Sequence, residues 1–248
     1  LEDGLENDLD EFEIGGGSNQ NVRIVALFDR ADGYSNANGD WTDTRVFEIG
    51  ADTSNDARSE YPPTIDSTDL FGLGELDTSY GNNLADFLVW GVQNYPARRY
   101  AVAINDHGGA WEGMVTDDAT GPGILTLPEF QQAFASALNT TNLDKFDLLI
   151  NDACFMSSIE FYTTVAPYFD YSVSSPEITL NPSFDMLSLI KPFRKRMLRR
   201  YLSPARRLRK VQQVLREWRH LGEVLPRSLA DILQQLQYGR FEVHLEHK

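Results

Sequence analysis

The sequence predicts an α/β fold for residues 1–190, and three of its features support that class. Short apolar runs alternate with segments of helical periodicity, which is typical of parallel strands joined by helical crossovers. The length of 248 residues and the 42% hydrophobic content suit a globular core. No run approaches the roughly 18 apolar residues of a membrane-spanning helix. We therefore expect a mostly parallel sheet flanked by helices.

The strands are predicted from apolar runs that are bounded by polar or glycine-rich stretches. They lie at residues 22–28, 45–49, 100–105, 146–150 and 171–175. A loop rich in Asp, Asn and Gly occupies residues 29–41, and residues 50–80 are expected to be irregular because they have no periodic pattern.

Three helices follow from spacing and capping signals. The first has apolar residues at helical spacing, with Asn82 or Asn83 as its cap and Pro96 beyond its end. The second opens at a capping box formed by Thr126 and Glu129. The third follows the strand 146–150 and covers residues 155–168.

The distribution of charge divides the chain into two parts. Residues 1–190 hold 7 Lys or Arg against 32 Asp or Glu, whereas residues 191–248 hold 15 against 5. Such an abrupt change of sign indicates a domain boundary near residue 191. The acidic opening has neither a basic start nor an apolar stretch, so no signal peptide is expected in this chain. A single Cys excludes an intrachain disulfide.

Reactive side chains follow two of the predicted strands at the point where each strand ends. His107 and two glycines follow the strand 100–105, and Cys154 follows the strand 146–150. The carboxyl ends of parallel strands meet at one sheet edge, where a His could activate a thiol. The N–H groups of Gly108 and Cys154 could hold an oxyanion, and a helix starting at Cys154 would favour a thiolate. Taken singly, the Cys also fits a core position, and the His fits an ordinary loop.

Several separated motifs resemble the clostripain-like family of cysteine peptidases, which share the caspase–gingipain fold. They are DRADGYSNANGDWTDTR (29–45), NLADFLVWGVQNYPARRYAVAINDHGGAW (83–111), LTLPEF (125–130) and FDLLINDACFMSSIE (146–160). The resemblance covers residues 1–185. It implies a caspase-like sandwich, a secreted or cell-envelope location, and a first apolar strand that would precede this chain.

The resemblance also implies a peptidase that cuts polypeptides after Arg or Lys. Cys154 would be the nucleophile and His107 the base. Asp152 would meet the basic side chain of the substrate as a charge-assisted pair, although a strand-end carboxylate can also be structural. Glu177 is a weaker candidate for a second acid in that pocket.

No metal site is predicted, although some members of that family depend on calcium. One oxygen-rich loop does not match the spacing of an EF-hand, and it fits a solvated turn better than a calcium site. Its candidate ligands are Asp29, Asp32, Asn36, Asn38 and Asp40.

The basic tail, residues 191–248, is predicted to be helical, with an apolar stripe between its Arg and Lys residues. An anionic membrane surface is one candidate partner, and no motif points to nucleic acid. Its stretch LPRSLADILQQLQYGRFEVHLEH resembles the segment after the kinase domain of the UbiB-like family, but the chain has no kinase motif. The rival to an active peptidase is therefore a truncated scaffold or a fusion, whose tail binds a membrane or a partner.

Overall fold

The computed structural model describes residues 2–53, 65–179, 184–188 and 190. Within them, the helices are α1 (Glu2–Ile14), α2 (Gly81–Asn94), α3 (Leu127–Thr141) and α4 (Ile159–Val165). The strands are β1 (Val25–Asp29), β2 (Thr44–Glu48), β3 (Thr68–Gly74), β4 (Ala101–Asn105), β5 (Met114–Asp117), β6 (Gly121–Leu125), β7 (Phe146–Asp152) and β8 (Phe169–Ser174). The predicted tail, residues 191–248, lies outside the described residues. In the described part, no helix is long and apolar enough to cross a membrane.

A parallel sheet with the order β4-β7-β8 holds the C-terminal half together. The prediction of parallel strands is confirmed here, since β7 pairs in parallel with both of its neighbours. Helix α3 lies between β4 and β7 in the chain, together with a hairpin of β5 and β6 that the sequence pattern did not predict, whereas α2 precedes β4. All three strands of this sheet therefore end at the same edge.

The other sheet, β1-β2-β3, is antiparallel, so the prediction of a mostly parallel sheet is wrong for this half. The loop from β1 to β2 contains no helix that could carry the chain back for a parallel pairing. Strand β3 falls in the stretch expected to be irregular. Almost all of its residues are exposed, so it has no alternating apolar pattern.

The main core packs α3 and α4 against the parallel sheet. The edge of the Phe134 ring meets Phe169 of β8 at a centroid distance of 4.8 Å, and Phe130 packs against Phe161 of α4. All four rings are buried. At the start of α3, the Glu129 carboxylate accepts the Thr126 N–H at 2.9 Å, so the predicted capping box is present.

Helix boundaries differ from the prediction at two places. Helix α2 begins at Gly81 with Tyr80 as its N-cap, so Asn82 and Asn83 lie within its first turn and the predicted cap is wrong. Helix α4 begins at Ile159, later than expected, because the Ser158 hydroxyl caps it by accepting the Phe161 N–H at 3.1 Å.

Helix α1 was not predicted, because its sequence is dominated by acids. Its apolar residues Leu5, Leu9 and Phe12 share one face and pack on a second core that includes Phe28 and Trp41. Five of its acidic side chains are buried as well: Glu6, Asp8, Asp10, Glu11 and Glu13. A buried acid is costly unless it is paired or neutralised, so this helix is held by specific polar contacts. One of them joins Glu6 to the fully buried Arg30 at 3.8 Å.

Candidate active site

The candidate site lies where β4 and β7 end side by side. Their parallel register places Asn105 opposite Asp152, the last residues of the two strands. One more hydrogen bond extends this ladder, from the Asp106 N–H to the Asp152 carbonyl at 3.3 Å. The loop that carries His107 and the turn that carries Cys154 therefore leave the sheet at the same edge, as the sequence predicts.

The loop that carries His107 is fixed by the residue before it. The half-buried Asp106 carboxylate accepts the N–H groups of His107 and Thr116, and the His107 carbonyl accepts the Val115 N–H at 3.1 Å. Burial raises the pKa of Asp106, although these N–H donors partly offset the rise. The side chain of His107 itself is exposed. Sequence reasoning missed this role of Asp106.

Cys154 lies in the turn after β7 and is half-buried. Its Sγ atom lies 3.5 Å from the Oγ1 atom of Thr179. The next residue, Phe155, has a φ of 60°, a left-handed conformation that such a residue rarely adopts. This conformation is held by a hydrogen bond from the Phe155 N–H to the Glu177 carbonyl at 3.1 Å. Strained backbone of this kind is concentrated at functional sites.

The predicted help from a helix dipole is wrong for Cys154. Because α4 begins only at Ile159, the sulfur lies in a turn before the helix instead of at its first residue. The field of a helix end falls off within its first turn. Any activation of this thiol must therefore come from neighbouring side chains and backbone groups.

Gly108 joins the two motifs by direct backbone contact. A Cβ atom at this position would lie 2.2 Å from the Cys154 carbonyl oxygen and 3.0 Å from the Cys154 nitrogen. Only a glycine allows so close an approach. Among the described residues, the N–H groups of Gly108 and Cys154 have no acceptor. Both N–H groups can therefore still donate, and the oxyanion site remains a prediction.

The two predicted pocket acids differ in their surroundings. Asp152 is 2% exposed, and its Oδ2 atom accepts the Phe184 N–H at 2.9 Å. Its buried Oδ1 atom has no hydrogen-bond partner among the described residues. Glu177 is exposed and reaches the site through its main-chain carbonyl, which accepts the Phe155 N–H. The structure therefore buries one acid at the strand end and leaves the other at the surface.

A further acid, Asp8 of α1, joins the site, and sequence reasoning missed it. The side-chain amide of Asn105 donates a hydrogen bond to its carboxylate. Burial raises the pKa of Asp8 to about 8, and the charges of Asp152 and Glu11 add to the rise, while bonds from Asn105 and Asn7 oppose it. The helical spacing of Leu5, Leu9 and Phe12 is the sequence feature that could have predicted this helix and its packing on the core.

The oxygen-rich loop shares one candidate ligand, Asp29, with a cluster of acidic side chains. Its Asn38 amide donates to Glu6 and accepts the Ile65 N–H, both structural bonds. In the described ranges, the metal-ligating side chains that come within 4.8 Å of one another are Asp29, Glu75 and Asp117. Acidic groups often lie this close together without an ion, so we derive no step through a metal.

The chain is similar to known proteins in sequence and in fold. The family model described as the Clostripain family of C11 peptidases matches residues 1–214. Clostripain from Hathewaya histolytica is 26% identical over 209 residues, which cover 74% of this chain and 38% of clostripain. The match to the family runs past the predicted boundary at residue 191. None of these matches supports the predicted UbiB-like resemblance of the tail.

Two solved structures share the fold. A secreted C11 cysteine protease from Bacteroides thetaiotaomicron, in complex with an irreversible peptide inhibitor, has a TM-score of 0.55 and 16% identity, covering 75% of this chain and 47% of its own. An inactive zymogen C11 protease from Parabacteroides distasonis has a TM-score of 0.52 and 17% identity, covering 78% and 48%. The chain thus spans less than half the length of these relatives.

Burial of the Asp8 carboxyl makes the stability of the folded chain depend on pH. Because its pKa is raised, the folded chain binds more protons than the unfolded chain between about pH 4 and pH 8, so stability falls as the pH rises through that window. Asp8→Asn removes the titrating carboxyl and with it this loss of folding stability. We expect the variant to unfold at least ~3 °C above the wild type at pH 7.

Thermal unfolding of the full chain between pH 4 and pH 8 measures this effect. The gap between Asp8→Asn and the wild type should widen with pH, whereas Asp86→Asn, the same change at an exposed position of α2, should leave no gap. A gap that stays constant with pH would show that the Asp8 carboxyl is not destabilised by its surroundings.

Proposed function

The chain belongs to the clostripain family, and from this membership we propose that it is a cysteine endopeptidase that cleaves polypeptides after Arg or Lys. The observation that carries the proposal is the backbone contact between Gly108 and Cys154, since it brings the His107 and Cys154 motifs to one sheet edge. A nucleophile and a base must be neighbours before they can react together.

In this proposal, His107 takes the proton of the Cys154 thiol, and the sulfur attacks the carbonyl carbon of the peptide bond. The oxyanion that forms is held by the N–H groups of Gly108 and Cys154, which have no acceptor among the described residues. The protonated His107 then gives its proton to the leaving amine, which leaves an acyl-enzyme. Water, activated by His107, hydrolyses the thioester and restores the thiol.

Selection of Arg or Lys is assigned to Asp152, with Glu177 as the more exposed second acid. The support for Asp152 is its burial at 2% exposure together with an Oδ1 atom that no described group satisfies. A guanidinium or an ammonium that entered there would supply the missing donor and a charge-assisted bond. Glu177 is placed beside the Cys154 turn by its main-chain bond to Phe155.

The basic tail is a separate proposal, because residues 191–248 lie outside the described residues. Its 15 Lys or Arg against 5 Asp or Glu suit an anionic membrane surface. If the chain has no peptidase activity, such binding is the alternative function for a non-catalytic scaffold.

A peptidyl-Arg chloromethyl ketone tests the proposed chemistry, because binding of its Arg side chain in the site greatly accelerates alkylation of the cysteine there. We expect the full chain to be labelled on Cys154, its only cysteine. Cys154→Ala and His107→Ala should abolish labelling, which intact mass spectrometry detects. A folded wild type that resists the reagent would support the non-catalytic scaffold instead.

A second prediction separates the two glycines that follow His107. Gly108→Ala would drive a methyl group to within 2.2 Å of the Cys154 carbonyl oxygen, so the backbone must shift. We expect labelling to slow about 100-fold or more, since displacement of reacting groups by about 1 Å can cost that much.

Gly109→Ala is the matched control, because a Cβ atom there would meet no heavy atom closer than 3.4 Å. This variant should be labelled at a rate close to that of the wild type. The same rate for Gly108→Ala, with circular dichroism showing a folded chain, would mean that the contact does not organise the site.

A further inference from the structure

The strand ends hold a buried acidic group that the proposed dyad does not use. Asp8 of α1 is 7% exposed and Asp152 of β7 is 2% exposed. The negative charge of each carboxylate therefore needs a partner within the protein or in a ligand. Among the described residues, no Arg, Lys or His forms an ion pair with either one. Two neighbouring buried carboxyls without a cation are unfavourable in a folded protein.

The contacts of these acids point to a missing cationic partner. The Asn105 amide holds the Asp8 carboxylate, and the Phe184 N–H holds one oxygen of Asp152. The other oxygen of Asp152, its Oδ1 atom, is buried and has no hydrogen-bond partner among the described residues. A native structure rarely leaves such an atom unsatisfied unless a ligand or a proton completes it.

We propose that Asp8 is a second specificity-determining carboxyl, which recognises the basic side chain of the substrate together with Asp152. This inference rests on the proposed function and extends it to a residue outside the strand-end motifs. The pair is built from two elements, since α1 contributes Asp8 and β7 contributes Asp152, while the Asn105 amide of β4 donates the hydrogen bond that fixes Asp8. A planar guanidinium has donors on both of its edges, so it can satisfy two carboxyls at once.

The charge of the pair changes when the cation binds. In the part of the chain that the structure describes, the side chains that shift the pKa of Asp8 most are Asp152, Glu11, Asn105 and Asn7, and none of these four is cationic. Because its pKa is about 8, Asp8 is mostly protonated at pH 7. A bound cation favours the ionised form, so Asp8 releases a proton to the solvent as the ligand enters.

Isothermal titration calorimetry with benzamidine, an aromatic amidinium cation, tests this inference on the full chain. Titrations at pH 7 in two buffers of different ionisation enthalpy give both the dissociation constant and the number of protons released. We expect the wild type to release close to one proton. Asp8→Asn should release none, and its affinity at pH 8.5 should fall about tenfold, as loss of a charged partner predicts.

Controls separate this inference from the peptidase chemistry. Asp152→Asn should lose most of the binding, and Asp86→Asn should bind as the wild type does. If Asp8→Asn does not fold, Asn105→Ala is the second variant, because it frees the Asp8 carboxyl and should weaken benzamidine binding.

Unchanged affinity and unchanged proton release in Asp8→Asn would overturn the role of Asp8, as would a wild type that does not bind benzamidine. Benzamidine binding does not use Cys154. A chain that releases the proton but resists the chloromethyl ketone would therefore keep the acid pair and lose the proposed peptidase chemistry.

Discussion

The candidate site depends above all on the parallel pairing of β4 with β7. Because two parallel strands end at the same edge, residues nearly fifty positions apart in the sequence meet there without a long loop to guide them. The register that pairs Asn105 with Asp152 brings the two following turns into contact, and Gly108 lies directly against Cys154. A slip of one residue in that register would separate them and turn Asp152 to the other face of the sheet.

The buried acidic side chains at the edge where β4 and β7 end lower the stability of the fold. Helix α1 buries five acids, and the carboxyl of Asp8 is disfavoured in its charged form next to Asp152. Asp106 is half-buried, and its carboxylate accepts hydrogen bonds from the backbone of the His107 loop. Groups of this kind destabilise a fold, and perturbed carboxyls are concentrated at functional sites, where they bind a ligand or position a reactive side chain.

Much of this arrangement could be predicted from local pattern, and the rest could not. Buried strands such as β7 are recognisable as apolar runs, and the residues at and after their ends gave the predicted site residues His107, Gly108, Asp152 and Cys154. The exposed strand β3 has no such pattern, and the acids of α1 suggest a solvated surface although tertiary packing buries them. The start of α4 was misjudged because a cap at Ser158 and the left-handed Phe155 delay the helix, and only a backbone conformation reveals that.

The most direct test of the account is the rate at which iodoacetamide, a small uncharged reagent, alkylates Cys154 in the full chain. Cys154 is the only cysteine, so the signal has a single source. If the strand ends couple the thiol to His107, alkylation at pH 6.5 should be about tenfold or more faster in the wild type than in His107→Ala. Equal rates in the two folded proteins would contradict the account, since the sulfur would then be indifferent to the histidine.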